Sequence, residues 1–274
     1  MRGKLIVLVI LVALLAAATS TYAITDGQPD GNRHPYVGLI VFDDANGPAW
    51  RCTGTLIAED LVLTAGHCTD GAVAARVWFD SDLRNNREYP YSGRTSYDGI
   101  PIQNPAYGQG FPNTGDVGLV RLTEKIKNKD LPGFGVIAPI GYLNDFATRR
   151  GQQDTIFRAV GYGLQSVVPN LQAERLRYTA ISRLGNLNNA LTDGYNLQLV
   201  EEAGGGNNTG GTCFGDSGGP IFHPEDSNQI VAVVSFGLNG NCVGVGFHYR
   251  VDTQAAYDFI MPELQSNGPG RGRQ

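Results

Sequence analysis

The sequence predicts an all-β fold closed by one C-terminal helix, and two observations carry that prediction. Glycine is abundant, at 37 of 274 residues, while long amphipathic runs are scarce, as expected of a chain with many tight turns. Short apolar or alternating runs recur along the chain, each bounded by Gly, Pro, Asn or Asp. A hydrophobic content of 42% with 17% charged residues is enough for a substantial core and excludes a disordered chain.

Residues 1–23 read as a secretory leader. Arg2 and Lys4 form a positive start, "LIVLVILVALLAAA" (Leu5–Ala18) an apolar centre, and Thr21 and Ala23 the small residues before a cut. The apolar run falls short of the roughly 20 residues a membrane-spanning helix needs. The mature chain is therefore expected to begin at Ile24, to be secreted to the extracellular space, and to carry no membrane segment.

Strands are expected at Tyr36–Phe42, Cys52–Ala58, Asp60–Ala65, Ala74–Phe79, Asp116–Leu122, Asp154–Gly163, Ile230–Gly237 and Gly244–Val251. The helix is expected over Asp252–Gln265, with Asp252 as N-cap and Pro262 ending or kinking it. The loop-like stretch from Pro139 to Gln153 divides two β halves, 24–145 and 146–265, and 266–274 reads as a flexible tail. The net charge of −5 becomes more negative once the leader goes, and the only basic cluster is that tail, so no nucleic-acid partner is expected.

Four cysteines, Cys52, Cys68, Cys213 and Cys242, in a secreted chain read as two disulfides, with three pairings open. No pair has the close spacing of a structural zinc site, and no metal or cofactor is expected. "DSDLRNN" (Asp80–Asn86) has oxygens suited to a hard cation but reads as a polar turn. Asn207 begins a glycosylation sequon.

The most informative run is "TCFGDSGGP", Thr212–Pro220. A serine flanked by glycines suits a tight loop whose amides converge. The N–H groups of Gly215 and Ser217 would hold the oxyanion formed when Ser217 attacks a carbonyl. A serine hydroxyl needs a base. Of four histidines, His67 in "LTAGHC" follows a strand and adjoins Cys68. The base needs an acid on its other nitrogen, and Asp116 heads the otherwise apolar "DVGLVRL". The G-x-S-x-G elbow of α/β-hydrolases also fits "GDSGG", with Asp226 and His248 as nominal partners. That elbow requires a helix straight after the serine, and "GGPIFHPEDSN" has no helical period.

With "LTAGHC", "DVGLVRL" and "CFGDSGGP" in the order His, Asp, Ser, the chain resembles the chymotrypsin-like (trypsin-fold) serine peptidases over residues 24 to 265. The resemblance implies two packed six-stranded antiparallel β-barrels, and the cysteine spacings look like that family's histidine-loop and pocket disulfides. It implies a catalytic set of His67, Asp116 and Ser217, protein or peptide substrates, proteinaceous inhibitors and a monomer. It also implies that the Ile24 ammonium, freed by cleavage, pairs with Asp216. With no room for a propeptide, leader removal would itself activate the enzyme. In the resembling family, Gly211 falls at the floor of the primary pocket and Thr212 follows it, so no acid is expected there. Ser235, Phe236, Gly237 and Gly246 would form the walls, and the glycines leave room for a large apolar or aromatic side chain. His248 offers a weaker case for a Glu preference. A catalytically silent scaffold of the same fold is the alternative.

Overall fold

The computed structural model describes residues 24–266 except 26, 128–129, 148–153, 168 and 203–208. The leader, the tail beyond Ser266 and the Asn207 sequon lie outside the described residues.

Six strands close the first barrel in the order β2-β3-β4-β7-β6-β5: β2 (Val37–Asp44), β3 (Gly47–Ala58), β4 (Leu61–Thr64), β5 (Ala74–Trp78), β6 (Ser96–Ile102) and β7 (Gly118–Leu122). All its pairings are antiparallel. The second barrel consists of β9 (Ile156–Gly161), β10 (Tyr178–Asn186), β11 (Asn196–Glu201), β14 (Gly244–Arg250), β13 (Gln229–Gly237) and β12 (Pro220–Phe222). It closes through the β9–β10 pairing. Two short strands sit outside it. β1 (Gln28–Pro29) pairs with β10, and β8 (Val136–Ile137) runs parallel to β13. Closure removes exposed strand edges, which is how an all-β chain of this length avoids edge-to-edge association.

Two apolar clusters fill the molecule. Ile40, Leu56, Val62 and Val120 of the first barrel belong to one, which also takes in Phe222, Val233 and Tyr249 of the second, and Phe157, Leu197, Leu199 and Ile221 belong to another. The chain ties the halves together at both ends. The N-terminal β1 joins the second barrel, whereas the C-terminal helix α2 (Gln254–Gln265) places Ala256 and Ile260 in the cluster that holds the first barrel's core. Arg121 of β7 reinforces this by donating to Glu263 Oε2 at 2.9 Å.

The helix differs from expectation at its start. Thr253 is the N-cap, its Oγ1 accepting from Ala256 N at 3.3 Å. Asp252 instead receives Leu143 N–H at 2.7 Å and pairs with Arg250. A carboxylate that is almost fully buried is better satisfied by a guanidinium than by an exposed helix end. The helix runs through Pro262 to Gln265 rather than ending there. β6, β10 and β11 were not expected; their polar interruptions mask a period-2 pattern.

Candidate active site

The site lies in a cleft of about 470 Å³ lined by residues from both halves of the chain, His67 and Ser217 among them. On the first-barrel side, β4 runs into Ala65 and a single turn of helix, α1 (Gly66–Thr69), that carries His67. Cys68 of that turn is bonded to Cys52 of β3, and Trp50 Nε1 donates to Cys68 O at 2.9 Å. The imidazole is thus presented from a pinned turn, with 29% of its side chain exposed to the cleft.

Asp116 enters just before β7. Its Oδ1 accepts His67 N–H at 2.8 Å, and its Oδ2 lies 3.0 Å from His67 Nδ1. Ser235 Oγ donates a third, short bond to Oδ2. Burial alone would raise the Asp116 pKa. The bonds from His67 and Ser235 hold it below the ordinary carboxylate value, so the group is anionic at neutral pH. Sequence reasoning assigned Ser235 to the pocket wall; it lines the cleft and also supports Asp116.

On the other side is the glycine-rich loop. After Ser217 the chain enters β12, not a helix, so the elbow arrangement is absent; Asp226 pairs with Arg158 instead. Gly215 has φ of +97°, a conformation costly for residues with a Cβ. Gly218 has φ of +77°, and a Cβ there would stand 2.1 Å from Thr64 Oγ1. Thr53 of β3, which the sequence reading missed, grips the loop at two points. Its N–H donates to Ser217 O at 2.9 Å and its Oγ1 to Gly215 O at 2.8 Å. With those carbonyls turned toward β3, the Gly215 and Ser217 amides donate to no protein acceptor among the described residues. His67 Nδ1 is engaged by Asp116, and no direct hydrogen bond joins its ring to Ser217 Oγ among the described residues. Such bonds are commonly loose without substrate.

Asp216 is fully buried and accepts Gly163 N at 2.7 Å and Cys213 N at 2.9 Å. Burial pushes its pKa up to about 7, against those two bonds and the charge of Arg51. Ile24 is equally buried, and Thr25 bridges to Gly211, which donates to Thr25 O at 3.1 Å. The N-terminal segment therefore docks on the stretch leading to Asp216. No bond between Ile24 and Asp216 occurs among the described residues, where Ile24 N is still in a peptide bond.

The pocket differs from expectation in its floor. Thr212, Ser235, Phe236, Gly237 and Gly246 line it, with the Cys213–Cys242 bridge; Gly211 and His248 do not. His248 is fully buried, and its Nε2 lies 3.7 Å from Glu201 Oε1. Burial pushes its pKa down to about 3, so it is neutral at physiological pH and is not a receptor for a substrate carboxylate. Gly211 brings no acid, as expected, but Glu201 of β11 does. It lines the cleft, and its Oε1 accepts Thr212 Oγ1 at 2.6 Å and Thr212 N at 3.0 Å. The 80–86 segment is a polar loop in which Asp82 pairs with Arg84 at 2.8 Å. Three potential metal ligands cluster at Cys52, His67 and Cys68, but both sulfurs are in the disulfide.

A double barrel with His, Asp and Ser gathered at one cleft defines the class of serine hydrolases with two β-barrels. The Trypsin family profile matches residues 25–260, and the chain belongs to that family. Serine protease 1 of Drosophila melanogaster is 28% identical over 226 residues, 80% of this chain and 77% of the relative. Chymotrypsin-C of Bos taurus is 27% identical, covering 79% of each chain. Among solved structures, HL collagenase superposes with a TM-score of 0.66 at 19% identity, covering 90% of this chain and 99% of that one. Human heparin binding protein does so at 0.62 and 19% identity, with the same coverage. An inactivated protease paralogue of the scabies mite, S-D1, gives 0.64 at 15%, covering 88% and 97%. At such identities these structures speak to fold alone. Membership of the family makes the chain a serine endopeptidase, a hydrolase of peptide bonds.

Proposed function

We propose that this endopeptidase works through Ser217, His67 and Asp116. Ser217 Oγ attacks the substrate carbonyl carbon while His67 takes its proton. Asp116 fixes the imidazole tautomer and stabilises the imidazolium. The oxyanion is received by the Gly215 and Ser217 amides. His67 then delivers the proton to the departing amine as the carbon–nitrogen bond breaks. Water repeats the sequence in reverse roles to release the acid and restore Ser217. The observation that carries this reading is the 3.0 Å contact of His67 Nδ1 with a buried, anionic Asp116 at a cleft that Ser217 also lines. Substitution of Ser217 by Ala is expected to lower kcat by about 10⁴-fold or more, with KM little changed. Retention of most activity by Ser217→Ala would refute it.

The protein is secreted, and leader removal leaves Ile24 as the new terminus whose ammonium pairs with Asp216. The support is physical: Asp216 is buried with two backbone donors and, among the described residues, in no salt bridge, and a buried carboxylate calls for a cation in contact with it. The pocket takes a long P1 side chain against the apolar surfaces of Phe236 and Val245. An apolar or aromatic P1 preference requires a floor without an acid, and Glu201 lines the cleft. A catalytically silent scaffold of the same fold is the second reading. Labelling of Ser217 by a serine-directed organophosphorus reagent separates the two: the enzyme is labelled, the scaffold is not.

A further inference from the structure

Two glycines border the Glu201 carboxyl, Gly246, which lines the pocket, and Gly211, which does not, and the space their side chains would take is occupied. A Cβ on Gly246 would lie 2.2 Å from Glu201 Oε1, and one on Gly211 would lie 2.9 Å from Oε2. The Glu201 carboxyl therefore spans the bottom of the cleft, reached from β11 rather than from the loop before Ser217. It is placed by strand register. Leu197, Leu199 and Glu201 share one face of β11, and Leu199 and Glu201 pair with Gly246 and Gly244 of β14.

The carboxyl is half satisfied. Oε1 holds both bonds from Thr212, while Oε2 receives no protein donor among the described residues. Glu201 is 3% exposed, and no Lys or Arg pairs with it among the described residues. Its nearest basic group, His248, lies 3.7 Å away and is neutral. A carboxylate left without a cation at a nearly dry floor is unfavourable unless one arrives from outside. Building on the peptidase reading above, we propose that Glu201 is the specificity-determining residue of the primary pocket and selects substrates with a cationic P1 side chain, Lys or Arg. The aliphatic stem lies along Phe236 and Val245, the charged end meets Oε2, and Thr212 fixes the carboxylate from the far side.

The test uses the chain beginning at Ile24, its Glu201→Gln variant, and peptide substrates identical except for Arg, Lys, Phe, Leu or Glu at P1. Rates are referred to sites titrated with a small organophosphorus reagent that carries no P1 group. Wild type is expected to favour Arg and Lys over Phe by at least about 100-fold in kcat/KM, and Glu201→Gln to lose most of that ratio by failing on the cationic substrates. A second measurement needs neither catalysis nor a variant. Benzamidine, a cation with an aromatic body, should raise the melting temperature of wild type, while its neutral isostere benzamide should not. Preference for Phe, Leu or Glu, an unchanged ratio in Glu201→Gln, or equal shifts by both probes overturns the inference. Absence of labelling and turnover with a benzamidine-specific shift overturns the peptidase reading and leaves the cationic pocket standing.

Discussion

At the scale of single residues, Glu201 makes a prediction that pH alone can check. Burial pushes its pKa up to about 7 in the empty pocket, against the hydroxyl and amide of Thr212 and assisted by the charge of Asp216. The groups facing it are Thr212, the neutral His248 of β14, and the more distant Asp216. Below about pH 7 the floor is neutral, and above it is anionic. The ratio of kcat/KM for Arg over Phe substrates should rise roughly tenfold or more from pH 6 to pH 8. Titration of the catalytic base affects both substrates alike and cancels in that ratio. A flat ratio would place no ionising group in the pocket. Asp116 offers a second residue-scale prediction. Asp116→Asn should lower kcat by about 10⁴-fold, since the amide can donate to Nδ1 and hold the wrong tautomer. Recovery of the lost rate as the pH is raised would show that the tautomer, not the fold, was disturbed.

At the scale of elements, β3 does more than close the first barrel. Thr53 fixes the peptides around Asp216 by one backbone and one hydroxyl bond. Thr53→Val keeps the backbone bond and the shape but frees Gly215 O and takes the Oγ1 acceptor from Tyr162 N, 3.1 Å away. It should lower kcat by up to about tenfold with little effect on KM, the signature of a donor misaligned for the transition state. An increase in KM at constant kcat would contradict that role. These element-scale contacts mark the limit of what the sequence disclosed. His67, Asp116 and Ser217 were legible because glycines and cysteines punctuate the loops that carry them, and the strands richest in Val, Ile and Leu were found within a few residues. Thr53 and Glu201 were not legible, because each acts through its position on a strand relative to a distant loop. β11 itself was not read as a strand. A signal was present in "NLQLVE", where alternation puts an acid on the same face as two leucines.

At the scale of the whole molecule, the two barrels and the N-terminus meet at Asp216. Its buried carboxyl has a folded pKa of about 7 against an ordinary value near 3.8 while Ile24 N remains in a peptide bond. An acid raised on folding stabilises the protein when protonated, and that contribution is lost as pH rises from about 4 to about 7, some 4 kcal/mol in all. A terminal ammonium would supply the missing cation and offset the loss. The melting temperature of a chain extended by two residues before Ile24 should therefore fall below that of the Ile24 chain by more at pH 8 than at pH 5, as read by calorimetry. Equal gaps at the two pH values would remove Asp216 from the account.

The most direct test of the central claim labels Ser217 in two forms of the protein at pH 8, one beginning at Ile24 and one extended by two residues. Mass spectrometry after treatment with an organophosphorus reagent should find Ser217 modified stoichiometrically in the first and at least about tenfold more slowly in the second. Equal labelling of both, or modification of neither, would contradict the account.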